Sequence, residues 1–133
     1  MTDSATTISR ADAYVNVDGV RKIYNPGPKQ VEALSEVHCR VREGEFVSLL
    51  GPSGCGKSTL LMMVAGLESL STGHIDVGGK PMEGTREDIG LMFQDSTLLP
   101  WKTTLENVMF PIKILKRSDE EYRETAINLL TRV

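Results

Sequence analysis

Residues 51 to 59 bring together glycines, one lysine and one serine at a spacing that suits phosphate chemistry. The run Gly51-Pro52-Ser53-Gly54-Cys55-Gly56-Lys57-Ser58-Thr59 matches the pattern G-x-x-x-x-G-K-[ST] at every fixed position. Glycines let the backbone curl so that successive N–H groups point inward at phosphate oxygens. A lysine at this place reaches the β- and γ-phosphates, and the serine hydroxyl binds Mg²⁺. The spacing therefore predicts a triphosphate-binding loop whose binding residues are Gly51, Ser53, Gly54, Cys55, Gly56, Lys57, Ser58 and Thr59.

The elements on either side of this loop must hold it in place. Phe46-Val47-Ser48-Leu49-Leu50 is a nearly unbroken apolar run, which predicts a strand of a parallel sheet covered on both faces. Residues Lys57–Gly66 are apolar nearly all round, which predicts a buried helix. The positive N-terminal end of that helix would add to the attraction for phosphate.

Further strands and helices are predicted from periodicity. Ala13–Val17 reads as an edge strand that Val20–Tyr24 continues after a turn at Asp18-Gly19, and Val37, Cys39 and Val41 alternate as in a half-buried strand. His74–Val77 and Ile89–Phe93 are two more predicted strands. Trp101–Ile114 is predicted to be partly helical, with Pro111 limiting the helix. Ser118 and Glu121 form an S-x-x-E box that predicts a helix start, with Tyr122, Ala126, Leu129, Leu130 and Val133 on one face.

Length and composition restrict the class of protein. The 133 residues allow at most one domain, and 40% hydrophobic with 25% charged residues is ordinary for a globular protein. The net charge of −3 argues against a nucleic-acid partner. We expect a cytoplasmic chain, because no apolar run approaches the ~20 residues of a membrane span and no secretion signal precedes the polar start. Cys39 and Cys55 are expected to be reduced thiols, His38 and His74 ordinary surface or strand-edge histidines, and no all-protein metal site is visible.

The residues around the loop resemble those of ABC-transporter nucleotide-binding domains. The similarity includes Val37–Gly66, the turn Ser71-Thr72-Gly73-His74-Ile75 and the segment Asp88-Ile89-Gly90-Leu91-Met92-Phe93-Gln94. It implies an α/β fold, a P-loop NTPase nucleotide-binding domain with N-terminal antiparallel β strands. The cofactors implied are ATP and Mg²⁺, and the implied activity is transport-coupled ATP hydrolysis. A leucine, Leu70, lies near the turn where this family often has a proline.

The resemblance assigns roles to two residues outside the loop. Gln94 matches the glutamine that in this family contacts Mg²⁺ and the attacking water, so it is assigned, with Lys57, to catalysis and, with Ser58, to the metal. Tyr24, in Val20-Arg21-Lys22-Ile23-Tyr24, matches the aromatic residue that stacks on adenine. A flat aromatic face suits a purine, since stacking contributes ~1–3 kcal/mol per base. Each residue also has a plain structural interpretation, as a polar strand end and as a core or edge tyrosine.

A second stretch narrows the implied subfamily. It resembles the corresponding segment in ATP-binding subunits of importers of nitrate, sulfonate and taurine. The residues are Leu98-Leu99-Pro100-Trp101, followed by Thr104–Val108. The implied partners are a second nucleotide-binding subunit, transmembrane permease subunits near residues 91–112, and a solute-binding protein. The implied location is the inner face of the cell membrane, as a peripheral subunit. Trp101 can also be read as packing under the helix that follows.

The resemblance extends over the front of the family's domain only. No LSGGQ-like signature, apolar strand ending in Asp-Glu, or later switch histidine occurs in the sequence. We expect residues 1–12 to be flexible and 13–133 to be a partial nucleotide-binding domain, incomplete because its C-terminal half is absent, with the helical subdomain starting near 101–133. We therefore expect a truncated product or partial sequence that is inactive alone. A non-catalytic nucleotide-binding fragment is the alternative, and a guanylate-kinase-like phosphotransferase a remote one.

Overall fold

A computed structural model describes residues 8–95 and 97–133, which divide into two compact units, Met1–Gly90 and Leu91–Val133. The prediction of a flexible N-terminus falls partly on residues 1–7, which lie outside the described residues. The first unit holds a short 3₁₀ helix at Arg10–Asp12, one α-helix and an antiparallel sheet. The second unit is helical.

The sheet of the first unit has four strands in the order β2-β1-β3-β4. The strands are β1 (Val15–Tyr24), β2 (Val31–Val41), β3 (Thr72–Val77) and β4 (Lys80–Pro81), and each neighbouring pair is antiparallel. This confirms the predicted antiparallel strands in the front of the chain. The expectation of an edge strand at Ala13–Val17 is wrong, because β1 lies between β2 and β3 and pairs with both.

Helix α1 (Lys57–Val64) covers one face of this sheet. The core is formed by aliphatic and methionine side chains from the strands and the helix: Val17, Val20, Leu34, Leu60, Met63, Ile75 and Val77. The helix is confirmed as predicted, but it is not buried all round, since Leu60 and Met63 are buried while Leu61 is 48% exposed. A helix on one face of a sheet needs only one apolar stripe.

Two predicted strands do not form among the described residues. Phe46–Leu50 and Ile89–Phe93 have no strand conformation, and Phe46 and Leu50 are 92% and 93% exposed. An apolar run becomes a strand only when a neighbouring strand accepts and donates its backbone hydrogen bonds. Neither segment pairs with any of the strands β1 to β4. The apolar pattern alone therefore did not predict strand pairing correctly.

The second unit contains α2 (Thr104–Val108), α3 (Phe110–Ile114) and α4 (Asp119–Leu130). Pro111 stands in the first turn of α3, where a missing backbone N–H costs nothing, and the predicted helix over Trp101–Ile114 is therefore two short helices. The predicted start of α4 is confirmed, because Ser118 Oγ accepts a hydrogen bond from the Glu121 N–H at 3.4 Å. Of the predicted apolar face of α4, Ala126 is buried and Leu129 is 55% exposed.

Candidate nucleotide-binding site

The loop before α1 folds around the ammonium group of Lys57. Its Nζ donates hydrogen bonds to the carbonyl oxygens of Gly51, at 2.8 Å, and Pro52, at 2.7 Å, and lies 3.4 Å from Cys55 Sγ. Lys57 is the first residue of α1, and its side chain is hydrogen-bonded to the start of the loop. A positive charge therefore lies inside the loop. A fixed cation inside a curled backbone is the arrangement that binds phosphate oxygens.

The loop joins α1 through Gly56, which has φ +90°, while Gly54 has φ +80°. Residues with a Cβ rarely adopt these angles, so both turns depend on glycine. Gly56 is the N-cap of α1 and provides no side-chain cap, which leaves the first backbone N–H groups of the helix for another acceptor. These amides and the helix dipole favour an anion at this end of α1.

The other predicted binding residues lie in the loop or in the first turn of α1. Ser58 follows Lys57 in the first turn of α1 and is exposed, so its hydroxyl is accessible to a metal ion held by the phosphates. Ser53, Gly54 and Cys55 are exposed as well, and Thr59 is half-buried. Among the predicted binding residues, Gly51 and Cys55 contact the Lys57 ammonium group, and the others adjoin them in sequence.

Tyr24 is the last residue of β1 and pairs with Val31 of β2. Its half-buried ring has the Lys22 ammonium over it, with Nζ 4.8 Å from the ring centroid. The same Nζ donates to Glu68 Oε1 at 2.5 Å and to the Ser69 carbonyl oxygen at 2.7 Å. The hydrogen bond from Lys22 holds the pKa of Glu68 below its ordinary value, with a smaller contribution from the Tyr24 hydroxyl.

Strand β2 relates Tyr24 to the phosphate loop. Tyr24 pairs with Val31, and Gly56 lies against Ala33 and Leu34, two and three residues further along the same strand. At 3.3–3.4 Å per residue, this offset along the strand is about 7–10 Å. The aromatic ring and the phosphate loop therefore stand at the same end of β2, within one unit.

Gln94 and Trp101 belong to the second unit. Gln94 is exposed and does not end a strand, because Ile89–Phe93 is not one. Trp101 is 76% exposed, so it does not pack under the following helix as the structural interpretation of that residue supposed. The turn that carries Trp101 is held by Asn107, which accepts from the Leu99 N–H at 2.7 Å and donates to the carbonyl oxygens of Leu99 and Lys102, each at 3.2 Å.

Two features were missed by the sequence reasoning. The capping box of α2, in which Thr103 and Glu106 bond each other's backbone N–H groups, has the T-x-x-E spacing and was detectable. The contact between Lys22 and Glu68 joins residues 46 apart in sequence, and no local sequence pattern predicts it.

The described residues contain neither a helix that could span a membrane nor a group of side chains that could hold a metal ion. Among residues 8–95 and 97–133, no helix has the length and apolar character needed to cross a bilayer. In the same part of the chain, no three His, Cys, Asp or Glu side chains are grouped so that they could hold a metal ion.

Several curated relatives are named as import ATP-binding proteins. The taurine import ATP-binding protein TauB of Yersinia pestis biovar Antiqua is 39% identical over 119 residues, which is 90% of this chain and 45% of the relative. The aliphatic sulfonates import ATP-binding protein SsuB of Pectobacterium atrosepticum is 40% identical over 88% of this chain and 40% of the relative. The spermidine/putrescine import ATP-binding protein PotA of Thermobifida fusca is 36% identical over 95% of this chain and 34% of the relative. The chain thus spans less than half the length of these relatives.

Solved structures give the same fold. The ATP-binding cassette MJ0796, in a dimeric, post-hydrolysis state bound to ADP and Pi, has a TM-score of 0.76 and 35% sequence identity to this chain, over 88% of this chain and 56% of that one. The family model for ABC transporters matches residues 34–133. That match takes in the phosphate loop, α1 and the whole second unit, and it confirms the P-loop NTPase fold expected from the sequence. The chain belongs to the ABC transporter family.

Proposed function

We propose that this chain binds MgATP at Gly51–Thr59 as part of the ATP-hydrolysing subunit of an ABC importer. The observation that carries the proposal is the closed loop around Lys57, whose Nζ is held by the carbonyl oxygens of Gly51 and Pro52 beside the uncapped start of α1. A positive charge and free amides at one point are what a triphosphate requires. The family match supports the same assignment.

Each residue of the proposed site has one part in binding or hydrolysis. Lys57 neutralises charge on the β- and γ-phosphates, and the loop amides orient them. Tyr24 stacks on the adenine base from its place at the end of β1. Ser58 would hold Mg²⁺, which supplies further charge neutralisation at the transferring phosphate. For Gln94, the roles at the metal and the attacking water are proposed from the family resemblance alone.

The proposed partners and location follow from the relatives. The similar cassette forms a dimer, so we propose that two nucleotide-binding subunits act together, joined to transmembrane permease subunits and served by a solute-binding protein. The subunit would then lie on the cytoplasmic side of the membrane, as a peripheral protein. We propose an anionic solute of the taurine or sulfonate type, because relatives for taurine and aliphatic sulfonates stand at 39% and 40% identity, against 36% for the polyamine relative.

The test is phosphate release by the full native protein reconstituted in liposomes with its permease. We expect MgATP hydrolysis that rises when taurine is supplied with the solute-binding protein and does not rise with spermidine. Gln94→Ala should lower the rate and keep MgATP binding, while the exposed Gln30→Ala serves as the matched control. Binding of MgATP with phosphate release at background, even beside the permease, would favour the non-catalytic alternative. Stimulation by spermidine would contradict the proposed solute class.

A further inference from the structure

Lys22 is a buried lysine with an unusual set of partners. Its side chain is 7% exposed, and its Nζ donates to Glu68 Oε1 at 2.5 Å, to the Ser69 carbonyl oxygen at 2.7 Å and to Ser69 Oγ at 3.3 Å. A buried charge persists only when it is paired and hydrogen-bonded. These three acceptors satisfy the three donors of the ammonium group.

The same ammonium lies over the ring of Tyr24. Lys22 and Tyr24 are two residues apart on β1, so their side chains project from one face of the strand. The Nζ stands 4.8 Å from the ring centroid, within the range of a cation–π contact. One face of the tyrosine ring is therefore occupied by a cation, and a stacked base would have to use the opposite face.

The end of β1 needs such support because the chain leaves the sheet immediately after Tyr24. Asn25 has φ +51°, and β1 pairs with β3 no further than Arg21 opposite Thr72. Beyond that point, Ser71 holds the strand: the Ile23 N–H donates to Ser71 Oγ at 2.9 Å, and that hydroxyl donates to the Ile23 carbonyl oxygen at 3.3 Å. The segment between α1 and β3 thus fixes both the backbone and the side chains at the end of β1.

This segment is also tied to the phosphate loop through α1. The helix begins at Lys57, beside the loop, and ends at Val64, shortly before Glu68. Eight residues at 1.5 Å each make the helix about 12 Å long. A single packed helix therefore connects the phosphate-binding end of the site to the residues that hold Tyr24.

We propose that Lys22 and Glu68 are positioning residues that orient Tyr24 for stacking on the nucleotide base. The inference deepens the proposed function and rests on its assignment of Tyr24 to the base. Lys22 itself does not contact the nucleotide, because its side chain is only 7% exposed and its ammonium group is buried against Glu68 and Ser69. The ion pair fixes the ammonium, and the ammonium fixes the ring plane.

The experiment compares two ligands by isothermal titration calorimetry in the full native protein. ATP uses both the ring and the loop, whereas inorganic tripolyphosphate uses the loop alone. Lys22→Met keeps the apolar stem and removes the charge. We expect Lys22→Met to lower the affinity for ATP by about tenfold, which is part of the loss caused by removing a stacked aromatic residue. The affinity for tripolyphosphate should fall by less than about twofold.

Two conservative variants separate positioning from mere stability. Lys22→Arg retains a cation that can pair with Glu68 and stack on Tyr24, so it should keep ATP affinity within about threefold of the wild type. Glu68→Gln keeps the shape of the acceptor but removes its charge, and it should show the same preferential loss of ATP. If Lys22→Met does not fold, the comparison of Lys22→Arg with Glu68→Gln decides the proposal.

A double variant tests most directly whether Lys22 acts through Tyr24. In a Tyr24→Ala background, Lys22→Met should weaken ATP by less than about a further twofold, because residues that act through one another are not additive. Equal losses of both ligands, no loss of ATP, or full additivity with Tyr24→Ala would overturn the positioning role.

Failure of the inference is distinguishable from failure of the proposed function. If Tyr24→Ala weakens ATP selectively and Lys22→Met does not, only the positioning role is overturned. If Tyr24→Ala leaves ATP affinity unchanged, the stacking assignment itself is wrong. If the wild type binds neither ligand, the phosphate-loop function is wrong.

Discussion

Gly56 of the phosphate loop lies directly against Ala33 of β2, so closely that a Cβ at Gly56 would stand 2.7 Å from the Ala33 carbonyl oxygen. The same Cβ would meet Leu34 Cδ1 at 2.7 Å. Gly56 also has φ +90°, so the position excludes side chains on two independent grounds. The loop therefore packs against the antiparallel sheet at Gly56, and its conformation depends on that contact.

Gly56→Ala should therefore destabilise the fold and weaken triphosphate binding. The positive φ costs about 1–2 kcal/mol for an L-residue, and the clash with β2 adds about 1–3 kcal/mol as in an overpacked core. Gly79→Ala is the matched control, since Gly79 has φ +71° with nothing within 4 Å of a Cβ. Urea unfolding measures both variants, and equal losses of unfolding free energy would show that the contact with Ala33 has no effect.

Tyr24→Ala should weaken adenine nucleotides and leave inorganic tripolyphosphate nearly unaffected. Loss of a stacked base costs ~1–3 kcal/mol, which is about 5- to 150-fold in affinity. Tyr14→Ala is the control, because Tyr14 is 40% exposed and precedes the other end of β1. Titration calorimetry with both ligands gives the comparison, and equal losses for the two would reject a stacking role.

His38 should make the free energy of unfolding depend on pH. Hydrogen bonds from the imidazole to Glu36 and to Asp18 raise its pKa above the ordinary 6.5. A raised pKa in the folded state means that the protonated ring stabilises the fold fully below pH 6.5, and that this contribution is lost as pH rises through the folded-state pKa.

The measurement is an NMR titration of His38 with urea unfolding on both sides of its pKa. Glu36→Gln should lower the pKa of His38 toward 6.5 and reduce the stability lost between acid and alkaline pH. The effect is small because the pair is exposed, with side-chain exposures of 56% and 66%. A pKa of His38 at or below 6.5 in the wild type would contradict the prediction.

Asn107→Ala should loosen the turn that carries Trp101. The amide of Asn107 makes four hydrogen bonds to the backbone of Leu99, Lys102 and Thr103, and removing them should cost about 1–3 kcal/mol. Trp101 is the one tryptophan of the chain, so its fluorescence anisotropy reports on this turn. We expect the anisotropy to fall in Asn107→Ala and to stay constant in the exposed Asn128→Ala; no change in either would disprove the anchoring.

The phosphate loop could be predicted because all its residues are contiguous. The fixed spacing from Gly51 to Ser58 indicates both the left-handed turns and the start of α1, whereas the contact of Gly56 with Ala33 has no local sequence signal. Strands β2 and β3 and helix α4 were likewise visible from alternation and from the Ser118 cap. Roles for Gln94 and Tyr24 came from resemblance and stay predictions.

The rest depends on pairing between distant segments. Phe46–Leu50 has the composition of a buried strand, yet strand formation needs a partner that composition cannot supply. The inner position of β1 came from its pairing with β3, more than fifty residues away in the register of Val15 with Val77. For the same reason the link from Lys22 to Glu68 was invisible in the sequence, although it holds the ring on which base binding is proposed to depend.

MgATP titration of the wild type, Lys57→Ala and Lys80→Ala decides whether Lys57 makes this chain a triphosphate-binding protein. Lys80 is an exposed lysine of β4, so its variant carries the same change of charge. We expect Lys57→Ala to lose at least about 100-fold in affinity, since two phosphate groups lose a charge-assisted partner, while Lys80→Ala binds as the wild type does. Affinity for MgATP within about threefold of the wild type in Lys57→Ala would show that Lys57 does not make the phosphate contacts proposed for it.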